Sequence, residues 1–182
     1  MKNIIILTLL FLSVTMKGQN SDFIPDTTVS GIKLFDFVTL KTMIPNINDL
    51  IDYNGPGGQA DFVNKDATEH LICNFWSNGI SEVHIARNNS ELKQREKKTK
   101  LDIVVFQTES HIRLDMTKNE FIKIKGTKYK TEKAGDLEIL KYGLNDLKSS
   151  SFLQKYHLPE YYADYTFKGG RLVKIDFGFP EP

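Results

Sequence analysis

The sequence predicts an α+β protein of two related halves, each with a short helical element packed on a small antiparallel sheet that ends in a β-hairpin. The stretch from His111 to Gly126 contains a complete helix start and stop, and an earlier stretch from Gly31 to Ile44 nearly repeats it. A β-patterned run with a glycine turn follows each stretch. We therefore expect repeats at residues 31–87 and 101–182, with their sheets either separate or continuous.

Residues 1–18 have the pattern of a signal peptide. Lys2 precedes an unbroken apolar-to-small run from Ile4 to Val14, and Gly18 lies shortly beyond it. The run of about eleven residues is short for a membrane-spanning helix, which needs roughly twenty, so a retained anchor is the weaker alternative. We expect an exported protein, periplasmic or extracellular, with no stable membrane anchor after the leader is cleaved.

Composition excludes few classes of function. Loss of Lys2 and Lys17 with the leader leaves 22 basic and 23 acidic residues, and this balance gives no indication of nucleic-acid binding. Cys73 is the single cysteine, so no intramolecular disulfide can form and stability must come from packing. Cys73 itself reads as a small buried strand residue, with a reactive or intermolecular thiol as the alternative.

The first half begins with an irregular arm at residues 19–30. Beyond it, Thr39 is expected to cap a short helix that ends near Pro45, and the helical spacing of Ile47, Leu50 and Ile51 predicts a second one. The glycine cluster at residues 54–58 could cradle a phosphate, but it lacks the Lys-Ser/Thr of a P-loop. A mobile surface loop is the favoured interpretation.

Residues 69–87 predict the first hairpin. A three-residue loop at residues 77–79 would place one apolar set on the inner face, namely Leu71, Cys73, Phe75, Val83 and Ile85. The opposite face would then carry Ile72, Asn74, Trp76, Ile80, Glu82 and His84. Residues 88–100 form a charged connector, for which a basic binding patch is the alternative.

The second half is expected to open with a buried strand at residues 101–108. Thr117 and Glu120 then have the spacing of a capping box, Met116 and Phe121 that of a hydrophobic staple, and Gly126 ends the helix. Residues 127–134 predict a lysine-rich loop, 136–144 a half-buried strand and 145–160 an irregular segment.

The last hairpin, residues 161–179, has the clearest alternating pattern in the chain. With a loop at residues 168–170, an ion pair between Asp164 and Lys174 would lie on the outer face. The expected inner face consists of Tyr161, Ala163, Tyr165, Phe167, Val173, Ile175 and Phe177.

The order of I-[KR]-L, Asp, a Thr-capped helix and a late hairpin resembles a tandem α+β module. This module is found in the β-lactamase inhibitor protein family and in small outer-membrane assembly lipoproteins of the SmpA/OmlA type. Asp115, Met116 and Thr117, with Phe121, look like the helix signature of those proteins. The resemblance implies binding through a sheet face. The inhibitor family has a disulfide in each half and the lipoproteins a lipidated cysteine, and this chain can provide neither.

No H-E-x-x-H, G-x-S-x-G or Cys-x-x-Cys motif is present, so we expect no enzyme, no cofactor and no catalytic residues. Glu69, His70, Glu82 and His84 could meet across the first hairpin as zinc ligands, but ordinary surface pairs are the favoured interpretation, and we expect no metal site. The outward face is unusually aromatic, which favours a protein partner unless the arm or residues 145–160 cover it. The expected partner-binding residues are Trp76, His84, Ile72, Tyr162 and Leu172.

Three functions are therefore compared. The first is a non-catalytic, inhibitor-like or immunity-like protein-binding module. The second is a component of cell-envelope assembly or scaffolding. The third is a small metal-dependent enzyme that uses His70 and His84.

Overall fold

The structure is a computed structural model that describes residues 23–53, 57–76, 79–88 and 98–180. The expected leader, the start of the glycine cluster, residues 77–78 of the first hairpin turn and most of the connector lie outside these residues. The α+β class is confirmed, because four helices accompany one eight-stranded, mostly antiparallel sheet and a separate two-stranded sheet.

The large sheet contains strands from both parts of the chain. Across it the order is β6-β3-β4-β5-β10-β9-β8-β7, and only β3 and β6 run parallel. The strands are β3 Gly58–Val63, β4 Glu69–Trp76, β5 Gly79–Arg87, β6 Thr99–Lys100, β7 Lys130–Ala134, β8 Leu137–Leu144, β9 Tyr161–Lys168 and β10 Arg171–Gly178. The small sheet pairs β1 Thr28–Val29 with β2 Ile32–Lys33.

The helices are short, and one of them, α4, lies in the segment 145–160 that was expected to be irregular. They are α1 Phe37–Met43, α2 Ile47–Leu50, α3 Lys118–Lys125 and α4 Ser151–Tyr156. α3 has the predicted capping box of Thr117 and Glu120 and ends at Gly126. The expected cap of α1 is wrong: Asp36 is the N-cap and accepts a hydrogen bond from the backbone N–H of Thr39.

Both hairpins have a different register from the expected one. Trp76 pairs with Gly79 and Lys168 pairs with Arg171, so two residues, not three, separate the paired ends. A β-bulge then absorbs the extra residue, Ser81 in the first hairpin and Val173 in the second. The bulge turns Ile80 and Leu172 inward, where both are buried.

The bulges also change the predicted ion pair. Lys174 lies opposite Thr166 rather than Asp164, and its Nζ is 3.0 Å from Oδ1 of Asp176 on its own strand. Asp164 lies opposite Asp176. The expected contact between Asp164 and Lys174 was therefore wrong, because it assumed a register without a bulge.

The segment before each hairpin makes the same backbone contact with it. Phe35 and Asp115 both have a positive φ, 56° and 65°. The N–H of Phe35 donates to the carbonyl of Ile80 at 3.0 Å, and the N–H of Asp115 donates to the carbonyl of Leu172 at 2.8 Å. Each hairpin is thus held next to its bulge by the residue that follows an Ile-[Lys/Arg]-Leu triplet.

The core lies between one face of the large sheet, called here the inner face, and the helices. Phe121 of α3 packs with its ring centroid 4.5 Å from that of Tyr165. Phe37 of α1 contacts Phe75, and Phe152 of α4 contacts Tyr161. The arm also packs here, with Phe23 stacked on Tyr142. α1, α3, α4 and the arm all contact inner-face rings.

A fully buried ion pair fastens the arm to the end of α3. Lys125 Nζ lies 2.7 Å from Asp26 Oδ2, and these side chains are 1% and 0% exposed. Lys125 also donates to the carbonyl of Ile24 and to Ser110, so its three N–H groups all have acceptors. The hydroxyls of Tyr161 and Tyr165 donate to Asp26. Burial raises the pKa of both tyrosines well above 10.

Residues 101–108 do not form the buried strand that their composition predicts. Val104 and Val105 are 59% and 38% exposed, and only Phe106 and Thr108 are buried. Side chains from β4 and the loop before it hold the segment instead: Asn64 donates to the carbonyl of Val104, and the Glu69 carboxylate accepts from the Phe106 N–H. Two further strands were missed: β3, which begins at the last residue of the glycine cluster, and β7, which lies within the expected lysine-rich loop.

Candidate functional site

The candidate site is the face of the large sheet that points away from the helices, called here the outer face. Its residues alternate along β4, β5, β9 and β10 with the buried residues of the inner face. The ring contacts of α1, α3 and α4 involve inner-face side chains, and no aromatic contact among the described residues reaches Trp76 or Tyr162. The arm and α4, the expected covers of this face, therefore pack on the opposite side of the sheet.

Four of the five expected partner-binding residues lie on the outer face. Ile72 and His84 are directly opposite each other on β4 and β5, and all four residues are half-buried: Ile72, Trp76, His84 and Tyr162. The fifth residue, Leu172, was wrongly expected on the outer face. Its side chain is 0% exposed and belongs to the core, because the bulge at Val173 turns it to the inner face.

A continuous chain of polar contacts, called here the outer network, crosses the middle of this face. Nδ1 of His84 is 2.7 Å from Oδ1 of Asp176. An ionised carboxylate can only accept, so Nδ1 carries the hydrogen and Nε2 can accept from the amide of Asn74, 3.1 Å away. The other amide hydrogen of Asn74 goes to Glu82 at 2.9 Å.

The outer network extends to β9 and along β10. The hydroxyl of Tyr162 donates to Glu82 at 3.0 Å, and Lys174 pairs with Asp176. Burial, followed by the negative charge of Glu82, raises the pKa of Tyr162, so its hydroxyl stays a donor. Burial likewise raises the pKa of Asp164. Because each member has a partner, the network holds its side chains in fixed positions, which is how a pre-organised binding surface is built.

The two histidines considered as metal ligands have different partners. Nε2 of His70 lies 2.9 Å from Asp61, whereas His84 contacts Asp176. Glu69 lies on the inner side and binds the backbone of Phe106. Across residues 23–53, 57–76, 79–88 and 98–180, no three His, Cys, Asp or Glu side chains group as metal ligands.

Sequence reasoning missed Asp176 and assigned Lys174 to the wrong partner. The role of Asp176 follows from the pairing of β5 with β10, which places it opposite His84, whereas the partner of Lys174 follows from the bulge at Val173. The first hairpin and the last are 92 positions apart at this pair, so no local pattern predicts the contact. One signal in the sequence could have predicted polar contacts on the outer face: acidic residues stand at outward positions of both hairpins, Glu82 in the first and Asp164 and Asp176 in the last.

No family model matches this chain, and no curated protein or solved structure matches it significantly. Within its described part, the chain has no helix with the length and hydropathy required to cross a bilayer.

Proposed function

We propose that this protein is an exported, non-catalytic binding module that holds a protein partner against its outer face. The observation that carries the proposal is the outer face itself: half-buried Ile72, Trp76 and Tyr162 surround a polar network whose members are fixed by hydrogen bonds. Aromatic residues and satisfied polar groups side by side are typical of protein interfaces. The proposal agrees with the mode of binding that the resemblance to β-lactamase inhibitor proteins implies.

We also propose that the large sheet consists of two related halves that meet at the pairing of β5 with β10. The hairpins support this because both have a two-residue turn and a bulge in the same place. When the two hairpins are aligned at their bulges, Phe75 matches Phe167 and Ile80 matches Leu172. The contacts of Phe35 and Asp115 with the hairpins then coincide as well.

The register between the halves supports the same proposal. The alignment matches His84 with Asp176, and these two residues face each other in the β5–β10 pairing. The neighbouring pairs follow the same rule. Ile85 lies opposite Ile175, and when each of the two is replaced by its match in the other hairpin the result is Phe177 opposite Val83, a pair that is also present. A pseudo-twofold axis through His84 and Asp176 would give this register, with the outer network at its centre.

The binding proposal is tested with Trp76→Ala in the immobilised mature protein, exposed to envelope and medium fractions of its own and competing cells. The parent protein should retain a partner that Trp76→Ala binds at least about tenfold more weakly, as expected for an interface aromatic. Tyr53→Ala is the control, because Tyr53 is an exposed aromatic, at 66%, outside the outer-face strands.

Unfolding of Tyr53→Ala in urea should match that of the parent within about 0.5 kcal/mol, and half-buried Trp76→Ala should lose no more than about 2 kcal/mol, so both variants stay folded. Equal retention of the partner by parent, Trp76→Ala and Tyr53→Ala would contradict a role for this face. Export is tested separately: deletion of residues 1–18 should leave the protein in the cytoplasm, whereas the full chain should appear in the periplasm or medium.

A further inference from the structure

A cleft of about 680 Å³ opens at one end of the outer face, where β7 and β8 diverge. The pairing of these strands begins at Lys130 opposite Lys141, but β8 continues to Leu144. The cleft lies between residues 128–130 on one side and 141–145 on the other, next to Tyr162 and Asp164 of β9. Its volume lies within the usual range for ligand sites, about 300–1,000 Å³.

Gly143 lines this cleft, and the fold does not require a glycine there. Its φ lies outside the positive region that favours glycine, and an added Cβ would meet only the carbonyl oxygen of Tyr161, at 3.5 Å. Glycine weakens a strand, and within one it often marks a point where a ligand or another backbone approaches closely. The other half of the sheet has no glycine at this position. When β3 and β4 are aligned with β8 and β9 so that Phe75 matches Phe167, Val63 matches Gly143.

The charges around the cleft balance overall, but two like charges meet at its mouth, where Lys130 lies directly opposite Lys141. Lys128, Lys130 and Lys141 line it, against the two carboxylates Glu160 and Asp164. Lys141 is bound by Glu132 at 2.6 Å. Lys130 is exposed and forms no ion pair within the described part of the chain.

We propose that this cleft is a binding site for a carboxylate-bearing ligand, whose body lies over Gly143 and whose charge faces Lys130. The carboxylate belongs either to a free small dicarboxylate or to an acidic side chain of a peptide segment. Beside it, the ring of Tyr129 offers an apolar wall. The cleft shares Tyr162 with the outer network but is lined neither by Trp76 nor by His84, so binding of a carboxylate is measured without the proposed partner.

The test is a chemical-shift titration of the ¹⁵N-labelled mature protein with two probes, glutarate and the peptide acetyl-Gly-Glu-Glu-Gly-amide. We expect saturable shifts concentrated at residues 128–130 and 141–145, and the probe that saturates at lower concentration identifies the source of the carboxylate. Gly143→Val should weaken binding at least tenfold while the thermal midpoint stays the same or rises. Lys130→Glu should also weaken binding at least tenfold.

Lys133→Glu is the matched control, because Lys133 is exposed on the same strand but lies opposite Glu138, away from the cleft. It should leave binding within twofold of the parent. The proposal is overturned by an absence of saturable shifts with both probes, by equal binding to the Gly143→Val and parent proteins, or by a lower thermal midpoint of Gly143→Val. The last result would mean that the fold itself needs the glycine.

Discussion

The two hairpins of the large sheet share their turn length and the position of their bulge but have different outer surfaces. Both have a two-residue turn, a bulge and an inner set of apolar residues that is buried throughout. The outer positions differ in chemistry at every matched strand position from Ile72 to His84. The matched pairs, with the residue of the first hairpin named first, are Ile72/Asp164, Asn74/Thr166, Trp76/Lys168, Glu82/Lys174 and His84/Asp176.

This difference separates what the fold needs from what it leaves free. The inner positions must fill a common core, so all of them except Glu69 and Arg87, at the open end of the first hairpin, carry apolar or aromatic side chains or Cys73. The ring contacts of α1, α3 and α4 lie on the inner face, so they do not restrict the outer positions and each hairpin could acquire its own set there. The apolar and aromatic pair Ile72 and Trp76 belongs to the first hairpin, whereas exposed lysines belong to the second. Under the proposed binding function, this contrast between the two hairpins would set the specificity for the partner.

The hairpins are also anchored differently at the start of their first strands, and the largest expected effect concerns the anchor of the second. Tyr161 and Tyr165 of β9 bind Asp26, which Lys125 neutralises. Lys125→Met would leave the buried carboxylate without its cation, and we expect a loss of about 3–5 kcal/mol in the free energy of unfolding. Urea denaturation measures this loss.

Lys118→Met is the control for that measurement. Lys118 lies on the same helix as Lys125 and pairs with Glu138 of β8. These two side chains are 28% and 31% exposed, so the loss in the free energy of unfolding should be about 1 kcal/mol or less. A cost for Lys125→Met no greater than that of Lys118→Met would show that the arm is not held by the buried pair.

The next effect tests the equivalence of the two bulges. Ile80→Ala and Leu172→Ala both remove a buried side chain beside a bulge, and each should cost about 2–5 kcal/mol. Val173→Ala is the control, because the bulge leaves Val173 half-buried, and its cost should be about 1 kcal/mol. If Val173→Ala were the costlier change in the second hairpin, Val173 would lie inward, as the sequence pattern indicates.

The smallest effect concerns the anchor of the first hairpin, where Glu69 occupies the position that Tyr161 has in the second. Burial raises the pKa of Glu69, and the hydrogen bond from Phe106 and the charge of Arg87 oppose this only in part. Below its usual value of 4.5, the carboxyl is protonated in both the folded and unfolded states. As the pH rises, the unfolded chain ionises first, so the stability contributed by this group falls until the folded pKa is passed.

Glu69→Gln removes this contribution while its side-chain oxygen can still accept from Phe106. The stability of the parent relative to Glu69→Gln should therefore decrease as the pH rises from about 4 to 8, measured by urea denaturation at each pH. Tyr161→Phe is the control. Burial holds the pKa of Tyr161 well above 10, so Tyr161 does not ionise over that range. The difference in stability between the parent and Tyr161→Phe should therefore be constant. A rising difference for Glu69→Gln would contradict the sign of the shift.

The sequence predicted the elements that depend on local chemistry. The capping box of Thr117 and Glu120 fixed the start of α3 within its own residues, and alternation placed Ile72, Trp76, His84 and Tyr162 on the outer face. The bulges were not predictable in this way. A register is decided by pairing across strands, and a shift of one residue moved Leu172 from the outer face into the core.

Long-range contacts explain the remaining differences. Residues 101–108 have the composition of a strand, but Asn64 and Glu69 bind their backbone groups from a distant part of the chain. β7 was unrecognisable because all five of its residues are exposed at the sheet edge, where lysines are common. The outer network depends on the pairing of β5 with β10, which brings together residues 92 positions apart.

The position of Cys73 gives the chain an internal reporter of core opening. It is the single cysteine, its side chain is fully buried on the inner face of β4, and burial raises the pKa of its thiol. Alkylating reagents attack the thiolate, so Cys73 can react only after the core over β4 has opened. The rate of its modification therefore reports how often that part of the core opens, with no introduced label.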